Sequence, residues 1–494
     1  MREAARYPRR MMLALLLSLL VGCGGSTTNA APLSAANLNL IFVTSPDLTY
    51  QALGDIRADT ANLSPQGLQR SLLMATYLKQ HVMGGNNVNG IHALTPMTHL
   101  QTPQQYPDMA GIGFVQQFSL LNQFTLPDST TAGIFTANSF PVHVAYTAGS
   151  VPAGVRVPNY YCPDCSGLDF NDTKGHNAAL VASIISARVS GYYVFSAPWE
   201  TISSLLAGIK TLKGYKFDIP KAYGGPNVVY AITLNPARDA QLLTLDSQLN
   251  PPASYPVLPA PVASAVCTHQ QQSYFSTTRT GGVGGALVPA NTNTNQRLYI
   301  VRHAEAHPDS GFQFENGNFV GAGQWRALEL ANALRGKIDP DRVVSIDPAQ
   351  WFPKDGANYS YVRPALTLLP YVIANNLPYS LVTGISIAGS PIDPVVARDT
   401  ANYFFSGGKF SNQTVLLAWE SGHIRPFINA LLTSYGGANL PLLPTSGSAQ
   451  GDWPSDDYDT VWRISLDAQG NLTVDNALCE GIDSTKLPVM APQF

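Results

Sequence analysis

Charge is what this chain has least of. Asp, Glu, Lys and Arg make up 12% of its 494 residues, and the formal net charge is −3. That balance excludes a polybasic surface for nucleic acid or for an anionic membrane. Beyond residue 23 no run is long and apolar enough to span a bilayer. Abundant instead are Gly, with 41 residues, and Pro, with 37. Together with Ser, Thr and Asn they imply long surface loops around the core elements. The length leaves room for roughly two or three domains, and the composition suits an exported globular protein.

The N-terminus is the exception in apolar length. Arg2, Arg6, Arg9 and Arg10 form a basic segment, and residues 11–21 a short apolar core, the layout of a secretion signal. It ends in Leu20-Val21-Gly22-Cys23, which resembles a bacterial lipobox. The expectation is a signal peptide over residues 1–23, cut before Cys23, whose thiol then carries diacylglycerol. Gly24 in place of Asp gives no argument for inner-membrane retention. The expected location is the cell envelope, lipid-anchored at the outer membrane, on its periplasmic side or at the surface. Arg9-Arg10 as a twin-arginine signal is the weaker alternative.

With Cys23 set aside, Cys162, Cys165, Cys267 and Cys479 remain. An even number in an oxidising compartment favours disulfides. Cys162-Pro163-Asp164-Cys165 can be a local bridge, a redox pair or half of a zinc site. The last needs further ligands, and His176 is the one obvious candidate nearby. A local staple is preferred, which leaves Cys267 and Cys479 to each other.

The most informative stretch covers residues 298–305, Leu298-Tyr299-Ile300-Val301-Arg302-His303-Ala304-Glu305. Its apolar run reads as a buried strand. The strand stops on charged residues, which places them at the carboxyl edge of a sheet, where open α/β folds keep their ligands. An imidazole can attack a phosphoryl group, and a neighbouring guanidinium can grip the phosphate oxygens.

This stretch belongs to an internal repeat. Leu40-Ile41-Phe42-Val43 followed by Thr44-Ser45 mirrors Tyr299-Ile300-Val301 followed by Arg302-His303. Residues 63–70 and 319–326 both open helical patterns, with Gly67 and Gly323 in the same place. Trp199-Glu200 and Trp419-Glu420 each follow an apolar strand, and residues 228–234 echo 461–466. The order is conserved along the chain. The expected organisation is therefore two tandem three-layer α/β/α domains with mostly parallel central sheets, over 37–255 and 296–494. Residues 256–295, rich in Pro, Gly and Asn, form the linker between them.

The second half resembles the histidine phosphatase, or phosphoglycerate mutase-like, superfamily. Arg302-His303 with Glu305 is similar to its first-strand signature. Gly323 with Arg326-Ala327 is similar to its helix motif, and Arg363-Pro364-Ala365-Leu366-Thr367 to the motif with its second arginine. Trp419-Glu420-Ser421-Gly422-His423-Ile424-Arg425 falls where the family carries a second histidine. The resemblance implies His303 as nucleophile and Arg302 and Arg363 as phosphate ligands, with no metal and no cofactor. It also implies an acid for the leaving alkoxide, a task suited to a carboxyl of raised pKa.

In helix register the second histidine falls on Glu420, with His423 three residues on. Either a shifted loop brings in His423 or Glu420 is the proton donor. Glu315 and Asp347 are further candidate donors that the sequence does not rank. In the first half Thr44-Ser45 stands where the nucleophile belongs, and residues 95–99 hold no arginine. That half reads as a catalytically dead copy, with His92, His99, His143 and His176 as core or solvated residues. The leading expectation is a lipid-anchored phosphomonoesterase for a phosphorylated small molecule or other phosphoester. The alternative is a non-catalytic binding or scaffolding lipoprotein; a mutase or transferase ranks below both.

Overall fold

Leu38–Thr44 is β1, apolar on both of its faces and buried along its whole length. Such a strand must sit inside a sheet covered on both sides. The computed structural model describes the chain except for residues 1–30, 51–53, 126–133, 136–139, 148, 156–160, 163–164, 268–271, 278–287, 307–315, 355, 386–392, 442–452 and 455. Cys23 and Glu315 thus lie outside the described residues.

The first sheet joins β1 to β2 (Gly90–Ala93), β3 (Val142–His143), β4 (Gly191–Ala197), β5 (Val228–Leu234) and β6 (Ala240–Asp246). The order across it is β6-β5-β1-β4-β2-β3. β1, β4, β2 and β3 run parallel, and β5 and β6 form an antiparallel edge. The second sheet contains β7 (Ser273–Ser276), β8 (Gln296–Arg302), β9 (Arg342–Ile346), β10 (Tyr379–Val382), β11 (Thr414–Trp419), β12 (Thr460–Leu466) and β13 (Leu472–Cys479). Its order is β7-β13-β12-β8-β11-β9-β10, with β8, β11, β9 and β10 parallel and the others antiparallel. Apart from β7, the two sheets share one strand order and one set of directions. β7 comes from the stretch expected to be linker and pairs along the outer edge of β13.

Helices cover both faces. In the first half these are α1 (Pro65–Tyr77), α2 (Ala110–Leu121), α3 (His176–Ala187) and α4 (Trp199–Lys213). In the second they are α5 (Gly321–Ala333), α6 (Arg363–Asn375), α7 (Pro394–Phe405) and α8 (Ser421–Ser434). Strand alternation decides which face each side chain joins. Ile41 and Val43 enter a core that also holds Tyr299 and Val301, while Leu40 and Phe42 pack toward α4, and Leu298 and Ile300 toward α8. The shared core lies between the sheets, with α1 and α2 facing α5 and α6. Gln116 and Asn318 seal it with reciprocal amide hydrogen bonds of 2.9 and 2.8 Å.

The two glycines of the repeat have the same reason to be glycine. A Cβ on Gly67 would stand 2.0 Å from the Asp55 carbonyl, and one on Gly323 would stand 2.8 Å from Cβ of Phe319. Each helix therefore packs its first turn directly on the loop before it. Disulfides join Cys162 to Cys165 and Cys267 to Cys479. Among the described residues no helix is long and apolar enough to cross a membrane.

Sheet register also corrects one equivalence. Thr44 pairs with Ala197, and Arg302 with Trp419. By that register Ala197, and not Trp199, matches Trp419. Trp199-Glu200 sits two residues further along and opens α4, whereas Glu420 is the cap before α8.

Candidate functional site

Arg302 ends β8, and His303 follows it, its amide donating to the Trp419 carbonyl at 2.9 Å. That bond extends the parallel pairing of β8 and β11 by one residue and carries His303 onto the carboxyl edge. The next amide, Ala304, donates to Thr367 Oγ1 at 2.9 Å, and that hydroxyl donates to the Arg363 carbonyl at 2.8 Å. Thr367 thus fastens the catalytic-candidate loop to the first turn of α6, where Arg363 stands. The spacing of Arg363 and Thr367 is one helical turn, which lets both residues serve the same loop.

His303 is 2% exposed. Its Nδ1 lies 2.8 Å from the Ala304 carbonyl. A carbonyl only accepts, so Nδ1 carries the hydrogen and Nε2 keeps its lone pair. The imidazole pKa is driven well below its ordinary value, by burial first and then by the charges of Arg363 and Arg302. A neutral, oriented imidazole between two guanidinium groups is the state a nucleophile for an anionic centre requires. Arg302 lies over the Tyr458 ring at 4.0 Å and donates to the Asp457 carbonyl at 3.1 Å. Arg363 lies 5.0 Å from the ring centres of Phe352 and Tyr361, and Tyr361 meets His303 edge-on.

The outer motif residues build the frame. Glu305 accepts from Arg326 Nε at 2.8 Å, and Arg326 also pairs with Glu480 and donates to Ser484 Oγ at 2.6 Å. Arg326 has no solvent exposure. These groups lock α5 and the chain end around the loop that follows β8.

Glu420 and His423 meet each other. Glu420 Oε2 lies 2.6 Å from His423 Nδ1, and its Oε1 accepts from Ser421 at 3.2 Å. Burial alone would raise the Glu420 pKa, but the His423 hydrogen bond and charge and the Gly422 amide outweigh it and hold it at about 2. About a quarter of this carboxylate faces solvent, so its partners, more than its burial, set its charge. Of the two roles left open by the sequence, a carboxylate held in this way suits the partner of His423. It acts as the anchor for His423, whose Nε2 is buried and has no hydrogen-bond partner among the described residues.

Asp347 follows β9. The register of β9 on β11 pairs Ser345 with Ala418, so Asp347 lies in the row of Glu420 and His303. It stands two strands from His303, about 10 Å at ordinary strand spacing. It is fully buried, accepts from the Tyr146 hydroxyl of the first half and from the Ala349 amide at 2.9 Å, and burial raises its pKa to about 6.

Sequence reasoning had marked Arg302, His303, Arg363, Glu420 and His423, and all stand at one sheet edge. It missed Tyr458, Tyr361 and Tyr146, isolated aromatics with no motif around them. No group of His, Cys, Asp and Glu among the described residues is arranged to hold a metal ion.

No family model matches the chain, and no curated protein matches it closely in sequence. Solved structures do resemble part of it. A protein histidine phosphatase SixA complexed with tungstate is 18% identical, the match covering 39% of this chain and 99% of that one at a TM-score of 0.21. Phosphoglycerate mutase from Plasmodium falciparum is 13% identical, covering 37% and 89% at 0.22. A phosphoserine phosphatase from Entamoeba histolytica is 14% identical, covering 37% and 97% at 0.19. Two of these three carry the name of a phosphatase and one that of a mutase. At these TM-scores the likenesses carry no argument about what this chain does.

Proposed function

We propose that the second half hydrolyses phosphomonoesters through a phosphohistidine on His303. The observation that carries this reading is the state of His303. It is buried, neutral, and tied at Nδ1 to the Ala304 carbonyl, with the charges of Arg302 and Arg363 acting on it.

In the first step Nε2 attacks phosphorus and the ester P–O bond breaks. Arg302 and Arg363 neutralise the charge that spreads over the equatorial phosphoryl oxygens. The leaving alkoxide takes a proton from His423, which Glu420 keeps oriented and, when protonated, charge-paired. In the second step water attacks phosphorus and passes a proton to His423, which is thereby restored; the P–N bond breaks, and His303 returns to its neutral form with release of inorganic phosphate. The proposal includes a tandem duplication over 37–255 and 296–494, supported by the shared strand order of the two sheets. It also includes export and a diacylglycerol anchor on Cys23, which rests on the sequence alone.

Phosphate release from p-nitrophenyl phosphate by the purified mature protein tests the activity. Arg302→Ala and Arg363→Ala should each lose at least about a hundredfold in rate, as removal of one preorganised donor does. Glu420→Gln should lose most on esters with poor leaving groups, because it loosens the proton donor. Absence of phosphate release from any phosphomonoester between pH 4 and 8 leaves the binding-protein alternative in possession.

A further inference from the structure

Few as the charges of this chain are, three cations gather at one place. At the amino edge of the first sheet, where α3 and α4 end and β5 turns into β6, a cleft of about 590 Å³ opens. Leu38, Ile185 and Leu234 give it an apolar wall. Arg188, Lys213 and Arg238 line it too, and no carboxylate is among its lining residues. Among the described residues none of the three is in an ion pair. Lys213 reaches only the Ser186 hydroxyl, at 3.5 Å. The carboxylate next along the chain, Asp239, accepts from Asn235 Nδ2 at 3.1 Å and is held within its own turn.

Part of the positive charge has a local use. Arg188 caps the end of α3 and Lys213 closes α4, and each helix end carries about half a negative charge. Two helix ends against three cations leave a surplus of about two positive charges at the cleft.

Exposed apolar residues accompany them. Leu212, before Lys213, is 56% exposed, and Val189, after Arg188, is 50% exposed. Leu212 continues the stripe of Ile202, Leu205 and Ile209 by which α4 packs on the sheet, but one turn beyond it. A helix that carries its apolar stripe past the end of its sheet, among cations, has the make-up of a surface that meets a bilayer interface.

The course of the chain points to the same partner. Residues 33–37 run along this edge into β1. The Leu33 amide donates to the Val82 carbonyl at 2.9 Å, the Tyr192 hydroxyl donates to the Leu33 carbonyl at 2.7 Å, and Ala36 lines the cleft. Cys23 comes thirteen residues before Ala36, at most about 45 Å of extended chain. A diacylglycerol on Cys23 therefore brings a bilayer within reach of this edge. The net charge of −3 does not oppose such a contact. At 0.1 M salt a charge acts over about 10 Å, so a bilayer meets the local cluster. Three cations make no polybasic surface, but an anchored chain needs none.

We propose that this cleft takes the phosphate headgroups of anionic phospholipids, as a second membrane contact beside the Cys23 anchor. Headgroup binding stands without the anchor and does not involve His303.

Co-sedimentation with vesicles tests the binding apart from the anchor. The protein is the mature chain, residues 23–494, made without its signal segment so that Cys23 carries no lipid. The vesicles are of phosphatidylcholine alone, or of phosphatidylcholine and phosphatidylglycerol in equal parts. At low salt the chain should partition at least about tenfold better onto the anionic vesicles, and about 0.5 M salt should abolish the difference. Lys213→Gln and Arg238→Gln should each weaken the binding about fivefold, about 1 kcal/mol per cation. Arg335→Gln, which removes an exposed cation just past α5, should not. Leu212→Ser should weaken it without changing its salt dependence. Equal partitioning onto both kinds of vesicle overturns the proposal, as does full retention in Lys213→Gln or Arg238→Gln. So does displacement by millimolar inorganic phosphate at constant ionic strength, which marks a site for a free anion. Self-association that Leu212→Ser abolishes, with no binding to vesicles, overturns it too and makes a second copy of the chain the occupant.

Discussion

Replacing Arg326 by Met isolates the structural frame of the site from its chemistry. Arg326 is fully buried, 2.8 Å from Glu305 and paired with Glu480 as well. Met fills a similar volume but leaves two carboxyls without their cation. Breaking a buried pair by removing one partner costs about 3–5 kcal/mol. At about 2–4 °C per kcal/mol for a unit of 150–250 residues, the melting temperature should fall by roughly 6–20 °C. The loss should also depend on pH. Without Arg326 the Glu480 carboxyl keeps a folded-state pKa raised above its unfolded one by burial. The folded variant then binds protons more tightly, and the stability this lends is present below the unfolded pKa and lost as pH rises through the folded one. Glu480, pushed up by burial to about 8 even beside Arg326, gives the direction and the upper end of that window. Calorimetric melts at pH 5 and pH 8 are the assay, and the deficit against the wild type should be larger at pH 8. A drop under 2 °C at both values refutes the reasoning, as does a larger deficit at pH 5.

Two further predictions concern the first half and the N-terminus. His92 is buried, hydrogen-bonded to the Ser166 carbonyl at 2.6 Å, and held down to about 4 chiefly by burial. Its contribution to stability is present above about pH 6.5 and is lost as pH falls through about 4. Melting temperature against pH should therefore be flatter over that window in His92→Phe than in the wild type, and parallel curves would contradict this. Cys23→Ser should abolish incorporation of labelled lipid into the exported protein; unchanged labelling removes the lipid-anchor proposal.

How far the sequence speaks depends on whether the residues concerned are close along the chain. Arg302 and His303 were legible because a buried strand runs straight into them, and Arg363 only because residues 363–367 resemble a family motif. The repeat pattern pointed to both sheets through the continuous apolar runs at 40–43 and 298–301. Trp199-Glu200 was set against Trp419-Glu420 on identity alone, but backbone register decides equivalence, and Ala197 proved to be level with Trp419. The edge strand Ser273–Ser276 was hidden because a short strand at a sheet border needs no apolar face of its own. Glu420 could not be assigned a protonation state from its neighbours in sequence, because His423 reaches it only once α8 has turned. Nor could Arg188, Lys213 and Arg238 be read as a group, since three separate segments deliver them to one edge.

The central claim is the covalent step, and trapping the adduct tests it most directly. Enzyme mixed with phosphorus-labelled p-nitrophenyl phosphate and quenched within the first turnovers should carry one phosphoryl group, labile in acid and stable in base, on the peptide containing His303. His303→Ala should carry none and release no phosphate. Turnover by wild-type protein that leaves no such adduct, or turnover that survives in His303→Ala, contradicts the account.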